Sequence, residues 1–231
     1  MTLTELTALS PLDGRYAAKV GSLRIHFSEY GLMRNRVRVE IEWLKALAAA
    51  GDIAECPAFS EATITELNRV IAGFSVADAE AIKTIEARTN HDVKATEYWL
   101  RECLAGNAET MRAGEFIHFA CTSEDINNVS HALMLKDAVS GSLLPELDRV
   151  ITRLRELAHQ LAELPMLSRT HGQPATPTTL GKEMANIAAR LMRGRSRISA
   201  VSLSAKFNGA VGNYNAHLSA CLLYTSDAAD E

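Results

Sequence analysis

Cysteines are few in this 231-residue chain, and none stands in a pattern that binds metal or marks a disulfide framework. Cys56, Cys103, Cys121 and Cys221 are widely spaced, without a C-x-x-C pair or a Cys/His cluster of zinc spacing. Incidental thiols in a reducing cytosol are the simplest interpretation. The sequence therefore predicts no metal site.

Long apolar runs and a strong charge imbalance are also lacking. No apolar run approaches the length that spans a bilayer, and Met1–Glu5 lacks the basic and apolar regions of a signal peptide. The net charge of −4 gives no electrostatic basis for binding nucleic acid or an anionic membrane. These absences predict a cytoplasmic protein. The net charge does not exclude a small anionic substrate, because a site for one needs only local arginines and lysines.

The alternation of apolar and polar residues that marks β-strands persists nowhere, whereas helical periodicity recurs along the chain. With 47% hydrophobic and 23% charged residues, the composition is that of a globular protein with a core. We therefore predict an all-α fold of long helices suited to a bundle. The predicted helices cover about 24–50, 61–72, 76–87, 93–105, 109–119, 124–140 and 145–163, and a further helix starts at Pro177. Ser60 and Ser75 are the expected N-caps of the second and third helices. The helix at 145–163 carries an apolar stripe of Leu147, Val150, Ile151, Leu154, Leu157, Leu161 and Leu164.

Two divisions of the chain are expected. Gly106 and Asn107 separate shorter from longer helices, which predicts an N-terminal helical domain at 1–110 and the first, incomplete part of a helical bundle at 111–220. Residues 221–231 continue no pattern that precedes them. They look like a translated sequencing-adapter end, so we expect a non-native tail there; a native acidic terminus is the alternative.

The segment Arg169–Pro177 interrupts two long helical patterns and contains a histidine. Its two prolines keep the segment from becoming helix, so we expect His171 to lie in a loop. A titratable group on an irregular segment that rigid elements hold is suited to general acid or base chemistry. A loop histidine bonded to backbone is the alternative.

Three further polar groups stand where helical patterns begin or break. Each has a structural interpretation, as a helix cap or a turn, and a functional one, as a binding site for an anion or nucleotide. The residues alone leave both open. The groups are Arg15 with Tyr16, the triplet Asn90, His91 and Asp92, and the pair Thr122 and Ser123. In the triplet, the structural interpretation is that Asp92 caps the helix that starts at 93. Asn127 and Asn128 are likewise either networked or exposed.

Six segments in order resemble the adenylosuccinate lyase family of the fumarase/aspartase superfamily, most closely its long bacterial form. Together they cover about residues 1–220, and the specificity comes from their number and order. The segments are Ser10–Tyr16, Lys83–Glu86 with Thr89–Lys94, Glu115–Asn128, Arg169–Pro177, Gly181–Asn186 and Asn208–His217.

The resemblance implies a reaction and roles. Such an enzyme eliminates fumarate from adenylosuccinate to give AMP, and from SAICAR to give AICAR, in purine synthesis. The resemblance implies that His171 is the general acid and that His91 binds substrate with an auxiliary catalytic role. It implies substrate binding by Arg15, Tyr16, Asn90, Asp92, Thr122 and Ser123. Further binding candidates are Lys94, Gln173, Lys206 and Asn208.

The resemblance also implies what surrounds the site. Family members are homotetramers that need no metal or redox cofactor, and their active sites are assembled from several subunits. Their catalytic base is a serine on a loop that ends in a Met-Pro-His-Lys type signature, and no such signature occurs in this chain. The residues of the 122–125 and 169–177 segments argue against argininosuccinate lyase and fumarase. These two enzymes stay as alternatives, as does a non-enzymatic helical scaffold.

Because the segment with the catalytic base is missing, we expect the 231-residue chain by itself to be inactive. Purified chain incubated with adenylosuccinate should release no fumarate above a protein-free control. Measurable release would contradict the assignment of the base to a segment outside this sequence.

Overall fold

The computed structural model describes residue 4 and residues 6–220. Within them the chain forms two compact units. The first comprises the described residues up to 135 together with 204–220, and the second comprises residues 136–203. The boundary expected near 105–112 falls inside the first unit, so the division at residue 110 stays a prediction. The tail expected at 221–231 lies outside the described residues.

Helices dominate both units, which confirms the predicted all-α fold class. In chain order, they are α1 (Arg24–Phe27), α2 (Glu29–Ala50), α3 (Glu61–Gly73), α4 (Val76–Thr89), α5 (Asp92–Leu104), α6 (Ala108–Arg112), α7 (Ser123–Ala138), α8 (Leu144–Gln160), α9 (Leu180–Ser199) and α10 (Asn215–Ala220). Short 3-10 turns cover Gly21–Leu23 and Gly114–Phe116.

The core of the first unit forms around α2. Its residues Met33, Val37, Ile41 and Leu44 recur every three or four positions and are all buried. Fully buried residues from α3, α4 and α5, including Leu67, Ile82 and Leu100, belong to the same cluster. Burial of each such side chain contributes about 1.5–3 kcal/mol, so α2 is the element on which the unit is built.

Serines begin several helices of the first unit. The side chain of Ser60 accepts the N–H of Thr63, and Ser75 forms a reciprocal capping box with Asp78, which confirms both predicted caps. Ser28 also caps: its extended backbone ends α1, and its hydroxyl accepts the N–H of Gly31 at the start of α2. The single helix predicted at 24–50 is therefore wrong, because a serine that can cap interrupts it.

The helix predicted at 109–119 is also wrong beyond its first part. Helix α6 ends at Arg112, and the chain then turns through a 3-10 turn and an irregular segment up to Thr122. His118 and Ala120 have left-handed backbone conformations, with φ of 62° and 59°. A helix cannot continue through such residues, and long-range contacts described below hold them there.

Helix α7 begins at Ser123, one residue earlier than predicted, and a π turn at Val139–Leu143 joins it to α8. In that turn the N–H of Leu144 donates to the carbonyl of Val139, five residues back. Pro145 has no N–H to continue the α-helical ladder, and a wider turn accommodates this. The two helices predicted at 124–140 and 145–163 are thus α7 and α8, with the π turn between them in the chain.

The second unit is built from α8 and α9, with a small β-structure between them. The strands are β1 (Pro165–Met166), β2 (Arg169–Thr170), β3 (Gln173–Pro174) and β4 (Thr178–Thr179). The helix predicted to start at Pro177 begins instead at Leu180, because residues 178–179 pair with β1 and Thr179 caps the helix. Of the apolar stripe predicted on the helix at 145–163, Ile151 is buried, whereas Val150 is about half exposed. Leu164 lies beyond the end of α8 and is also about half exposed.

A close helix contact at Gly181 holds the second unit together. A β-carbon at this position would lie 2.4 Å from the carbonyl oxygen of Ala158 and 2.6 Å from Cα of Ala162. The N–H of Gly181 donates to the carbonyl of Leu161. Backbone atoms cannot move aside as a flexible side chain can, so α8 and α9 approach this closely only at glycine.

We therefore predict that Gly181→Ala lowers the free energy of unfolding by about 1–3 kcal/mol through overpacking. Gly194→Ala is the matched control on the same helix, because an added β-carbon there meets no atom within 4 Å. It should raise stability by about 0.5–1 kcal/mol through helix propensity. Urea unfolding followed by circular dichroism measures both, and equal effects would contradict the close contact.

Candidate active site

The segment that contains His171 is an ordered β-ribbon, which corrects the expectation of an irregular loop. Strand β2 pairs antiparallel with β3, and β1 pairs with β4, so the ribbon closes on the two-residue turn His171–Gly172. Both turn residues have positive φ, 51° and 77°, as in the two-residue turns that match the twist of hairpin strands. The predicted general acid thus lies at the tip of a hairpin.

His171 is exposed at this tip, and its imidazole has no hydrogen-bond partner among the described residues. The turn itself is held by its backbone and by Arg169, whose guanidinium donates to the carbonyl of Gly172 at 3.3 Å. Gln173 lies in β3 opposite Thr170 and is exposed. The ribbon positions the histidine backbone, while the imidazole stays accessible to a substrate or to another segment.

In the first unit, Asn90, His91 and Asp92 form the junction between α4 and α5. Asn90 ends α4 in the left-handed conformation, with φ 53° and ψ 33°, and its N–H donates to the carbonyl of Glu86. His91 caps α5, and Asp92 is the first helical residue. The structural alternative for this triplet is therefore realised by His91, whereas the sequence had favoured Asp92 as the cap.

Capping fixes the tautomer of His91. Its Nδ1 accepts the backbone N–H of Lys94 at 3.2 Å, so in the neutral ring the proton is on Nε2. The ring is about half exposed. His91 can therefore present an N–H donor outward from a fixed position, which suits a residue that polarises or orients a substrate oxygen.

The side chains beside His91 are engaged in ion pairs. The guanidinium of Arg36 donates to Oδ2 of Asp92 at 2.6 Å and to Oδ1 of Asn127 at 2.8 Å. Burial disfavours the ionised Asp92 carboxylate, but Arg36 and nearby backbone N–H groups outweigh burial and hold the pKa of Asp92 below its usual value. Lys94 donates to the buried carboxylate of Glu97 at 2.8 Å.

Thr122 and Ser123 stand at the start of α7, where a buried carboxylate organises the chain. The Asp125 side chain is fully buried. It accepts the N–H of Thr122 at 3.0 Å and the backbone N–H groups of Asn208 and Gly209 at 3.2 Å, and it pairs with the Lys206 ammonium at 3.1 Å. Burial raises the pKa of Asp125, but these donors outweigh it, so the pKa is lowered.

The candidates Lys206 and Asn208 are thereby brought to the start of α7. The backbone N–H of Lys206 also donates to Oδ1 of Asn128 at 2.9 Å. Both asparagines that the sequence left open are therefore networked, Asn127 with Arg36 and Asn128 with the 206–209 segment. The ammonium of Lys206 is occupied by Asp125 and the carbonyl of Gly209, which makes it a structural cation in this arrangement.

A pair formed by the buried Glu40 and the partly buried His118, four positions before Thr122, was not predicted from the sequence. Nδ1 of His118 lies 2.6 Å from Oε1 of Glu40, whose side chain is fully buried. Burial raises the pKa of Glu40. Burial also disfavours protonated His118, but hydrogen bonding to Glu40 outweighs it and raises the pKa of His118. The available signal was that Arg36 and Glu40 stand next to Val37 and Ile41, on the side of α2 that the apolar periodicity buries.

Arg15 and Tyr16 lie in a turn, as predicted. The N–H of Tyr16 donates to the carbonyl of Pro11, and the N–H of Gly14 to that of Ser10. The guanidinium of Arg15 lies 5.4 Å from the centre of the Tyr16 ring, in cation–π contact. Both side chains are exposed, and the contact leaves the guanidinium donors accessible to a phosphate.

The candidate residues therefore divide between the units. The first unit brings together the 90–92 junction, Lys94, the Thr122–Ser123 helix start and the 206–208 segment through Arg36 and Asp125. It also contains the exposed Arg15–Tyr16 turn. His171 and Gln173 belong to the second unit. Among the described residues, no group of three or more His, Cys, Asp or Glu side chains is placed to hold a metal ion, and no helix is long and apolar enough to cross a membrane.

The sequence matches a family model described as "Lyase" over residues 14–225. The match extends over most of the chain and includes both units. Helical architecture and a site of histidines, hydroxyls and charged residues are consistent with this class of enzyme. The chain belongs to this lyase family.

Curated relatives agree with the family. The chain is 57% identical to the adenylosuccinate lyase of Vibrio cholerae serotype O1 and 56% identical to that of Escherichia coli strain K12, each over 220 residues. Each match covers 95% of this chain and 48% of the relative. The chain thus spans about half the length of the curated relatives that it matches.

Solved structures with the same fold include a fumarate lyase from Mesorhizobium sp. BNC1, with a TM-score of 0.68 and 22% identity. A 3-carboxy-cis,cis-muconate lactonizing enzyme from Pseudomonas putida has a TM-score of 0.66 and 24% identity. They cover 85% and 86% of this chain, and the chain covers 44% of each. At this identity, the likeness establishes the fold alone.

The buried Asp125 generates a prediction about stability. Asp125→Asn should lower the free energy of unfolding by about 3 kcal/mol at neutral pH, because the Lys206 ion pair is broken in a buried place. Glu124→Gln is the matched control, an exposed acid one position earlier. Urea unfolding measures both changes.

The pH dependence gives a second readout of the same variant. Since the folded pKa of Asp125 is lowered, its stabilising contribution is present above the unfolded pKa and is lost as the pH falls below about 5. The parent should therefore lose more stability on acidification than Asp125→Asn does. Parallel curves for the two proteins would contradict an ionised Asp125.

Proposed function

We propose that this chain forms the first half of an adenylosuccinate lyase. Such an enzyme eliminates fumarate from adenylosuccinate to give AMP and converts SAICAR to AICAR. The observation that supports this most strongly is the 55–57% identity to curated adenylosuccinate lyases of Vibrio, Escherichia and Haemophilus over 220 residues. Argininosuccinate lyase and fumarase remain alternatives that a substrate panel separates.

The elimination needs three contributions. A base removes the proton from the carbon next to a carboxylate, donors stabilise the resulting aci-carboxylate, and an acid protonates the departing nitrogen. We assign the acid to His171, which lies at an accessible hairpin tip, because histidine is the side chain most often used for proton transfer in enzymes. The resemblance implies a serine base on a loop with a Met-Pro-His-Lys type signature, so we propose no residue of this chain as the base.

Substrate binding is proposed for the first unit. The start of α7 offers the hydroxyls of Thr122 and Ser123 together with the positive end of the helix dipole, which suits a succinyl carboxylate. His91 offers its Nε2–H, and Asn90 and Asp92 flank it. Arg15 and Tyr16 are proposed to bind the nucleotide, with the arginine on the phosphate.

Some residues are proposed in narrower roles. Lys94 and Lys206 are already paired with Glu97 and Asp125, so they would act through the charge of those pairs rather than as separate anion ligands. Gln173 begins β3, directly after the His171–Gly172 turn, and the backbone N–H of Asn208 donates to Asp125. No metal or other cofactor is proposed.

The assembly is also part of the proposal. We infer a homotetramer in the cytoplasm that acts on small nucleotides, because the resemblance to the family implies this assembly. The half-exposed apolar residues on α8 and α9, such as Val150, Ile187 and Met192, are available for helix packing. Size-exclusion chromatography with light scattering of a full-length protein tests the tetramer, and cell fractionation tests the location.

A full-length test protein can be made by joining residues 1–220 of this chain to the second half of the Vibrio cholerae relative; we call it the joined protein. It should release fumarate from adenylosuccinate and SAICAR, and not from argininosuccinate or malate. If the relative is active and the joined protein is not, the proposed function is contradicted.

In the joined protein, His171→Ala should lower kcat about 10²- to 10⁴-fold, because the departing nitrogen loses its acid, while KM changes little. His131→Ala is the control, since His131 is an exposed histidine on α7 outside the candidate site. Steady-state kinetics measure both variants. Unchanged activity of His171→Ala would favour a scaffold role for the hairpin.

A further inference from the structure

Arg36 lies in the middle of α2 with its side chain 6% exposed. A guanidinium in such a place needs hydrogen-bond partners, because a buried charge without them costs several kcal/mol. Its partners lie on two other helices. The terminal nitrogen donates to Asp92 at the start of α5, and Nε donates to Asn127 in the second turn of α7.

These two helix starts carry the binding residues proposed above. Asp92 is bonded directly to His91 along the chain and follows Asn90. Asn127 lies one helical turn after Ser123 on α7. One side chain therefore connects the 90–92 junction to the helix start at 122–123, although the residues it joins are 56 and 91 positions from it in sequence.

The chemistry of arginine suits this connection. Its guanidinium is planar, always protonated, and places its N–H donors in a rigid fork, so two bonds at 2.6 and 2.8 Å restrict both distance and angle between their acceptors. A lysine ammonium offers a point charge without that directional fork. The fork also neutralises Asp92, which would otherwise repel an anionic substrate beside His91.

We propose that Arg36 is a positioning residue for substrate binding: it sets the spacing and orientation of the 90–92 junction relative to the start of α7, so that His91 and Thr122–Ser123 form one binding surface. This inference rests on the proposed function. Arg36 itself touches no substrate in this proposal and acts through Asp92 and Asn127.

The first test is kinetic and uses the joined protein. Arg36→Met and Arg36→Lys should each lower kcat/KM for adenylosuccinate about ten-fold or more, mainly through KM, because charge-assisted hydrogen bonds at both helix starts are lost or misdirected. Arg34→Met is the matched control, an arginine two positions earlier on α2 that lines a separate pocket with Tyr30 and Phe74. It should change kcat/KM less than about two-fold.

A double-variant cycle separates positioning from general destabilisation. If Arg36 acts through Asp92, then Arg36→Met should lower kcat/KM much less in an Asp92→Asn background than in the parent. Equal fold-losses in both backgrounds would overturn the proposed route through Asp92.

A second variant keeps the test decisive if Arg36→Met does not fold. Asn127→Ala removes the connection to α7 and leaves the Arg36–Asp92 pair in place. It should also raise KM, with a melting temperature close to that of Arg34→Met. An unchanged KM in folded Asn127→Ala would overturn the proposal.

Hydrogen exchange on the same proteins gives a readout that does not depend on activity. Arg36→Met or Asn127→Ala should speed exchange of the Lys94 N–H, which His91 caps, and of the Thr122 N–H, which Asp125 caps. The Thr63 N–H, which Ser60 caps on α3, should keep its rate. If the parent has no lyase activity but exchange changes in this way, the proposed function fails while the positioning role stands. If the parent is active and neither KM nor exchange changes, the positioning role fails.

Discussion

A buried carboxylate must receive hydrogen bonds on nearly all of its acceptor positions, and much of the first unit is arranged around one that does. Asp125 receives backbone N–H groups from Thr122, Asn208 and Gly209 and the ammonium of Lys206. It thereby fixes where α7 begins and attaches a segment more than 80 positions away in sequence. Without that carboxylate, three backbone donors would lose their partner and the Lys206 ammonium would lose its counter-charge.

Side chains along one face of helix α2 also form hydrogen bonds that hold distant segments in place. Arg36, Glu40 and Trp43, spaced i, i+4 and i+7, bind Asp92, His118 and the carbonyl of Phe119 respectively. These bonds are directional, so they specify orientation where apolar packing would specify mainly proximity. They also explain why His118 and Ala120 keep left-handed conformations: the surrounding bonds outweigh a local strain of order 1–3 kcal/mol for each residue. The proposed binding residues therefore stand on helix starts that buried polar contacts hold.

The proposed general acid is held by a β-hairpin rather than by buried polar contacts. The two-stranded ribbon and its two-residue turn fix the backbone of His171 but leave its imidazole exposed. A fixed backbone with an exposed side chain suits an enzyme whose sites are assembled from several segments. The first unit provides an ordered binding surface, and the hairpin of the second unit presents a titratable group that other parts of the proposed tetramer would surround.

Local sequence signals determined a large part of this structure. Helix periodicity and the caps at Ser60 and Ser75 predicted α3, α4 and α5 closely, since such signals act within one or two turns. The ordered motifs predicted the lyase family. Helix periodicity missed the break at Ser28, where a local cap competes with a continuous helix. Tertiary structure alone decided the irregular 113–122 segment, the partners of Arg36 and the pairing of Glu40 with His118. These tertiary features depend on hydrogen bonds between residues up to 91 positions apart. The position of a buried charged residue in the sequence does not indicate which distant residue will be its partner.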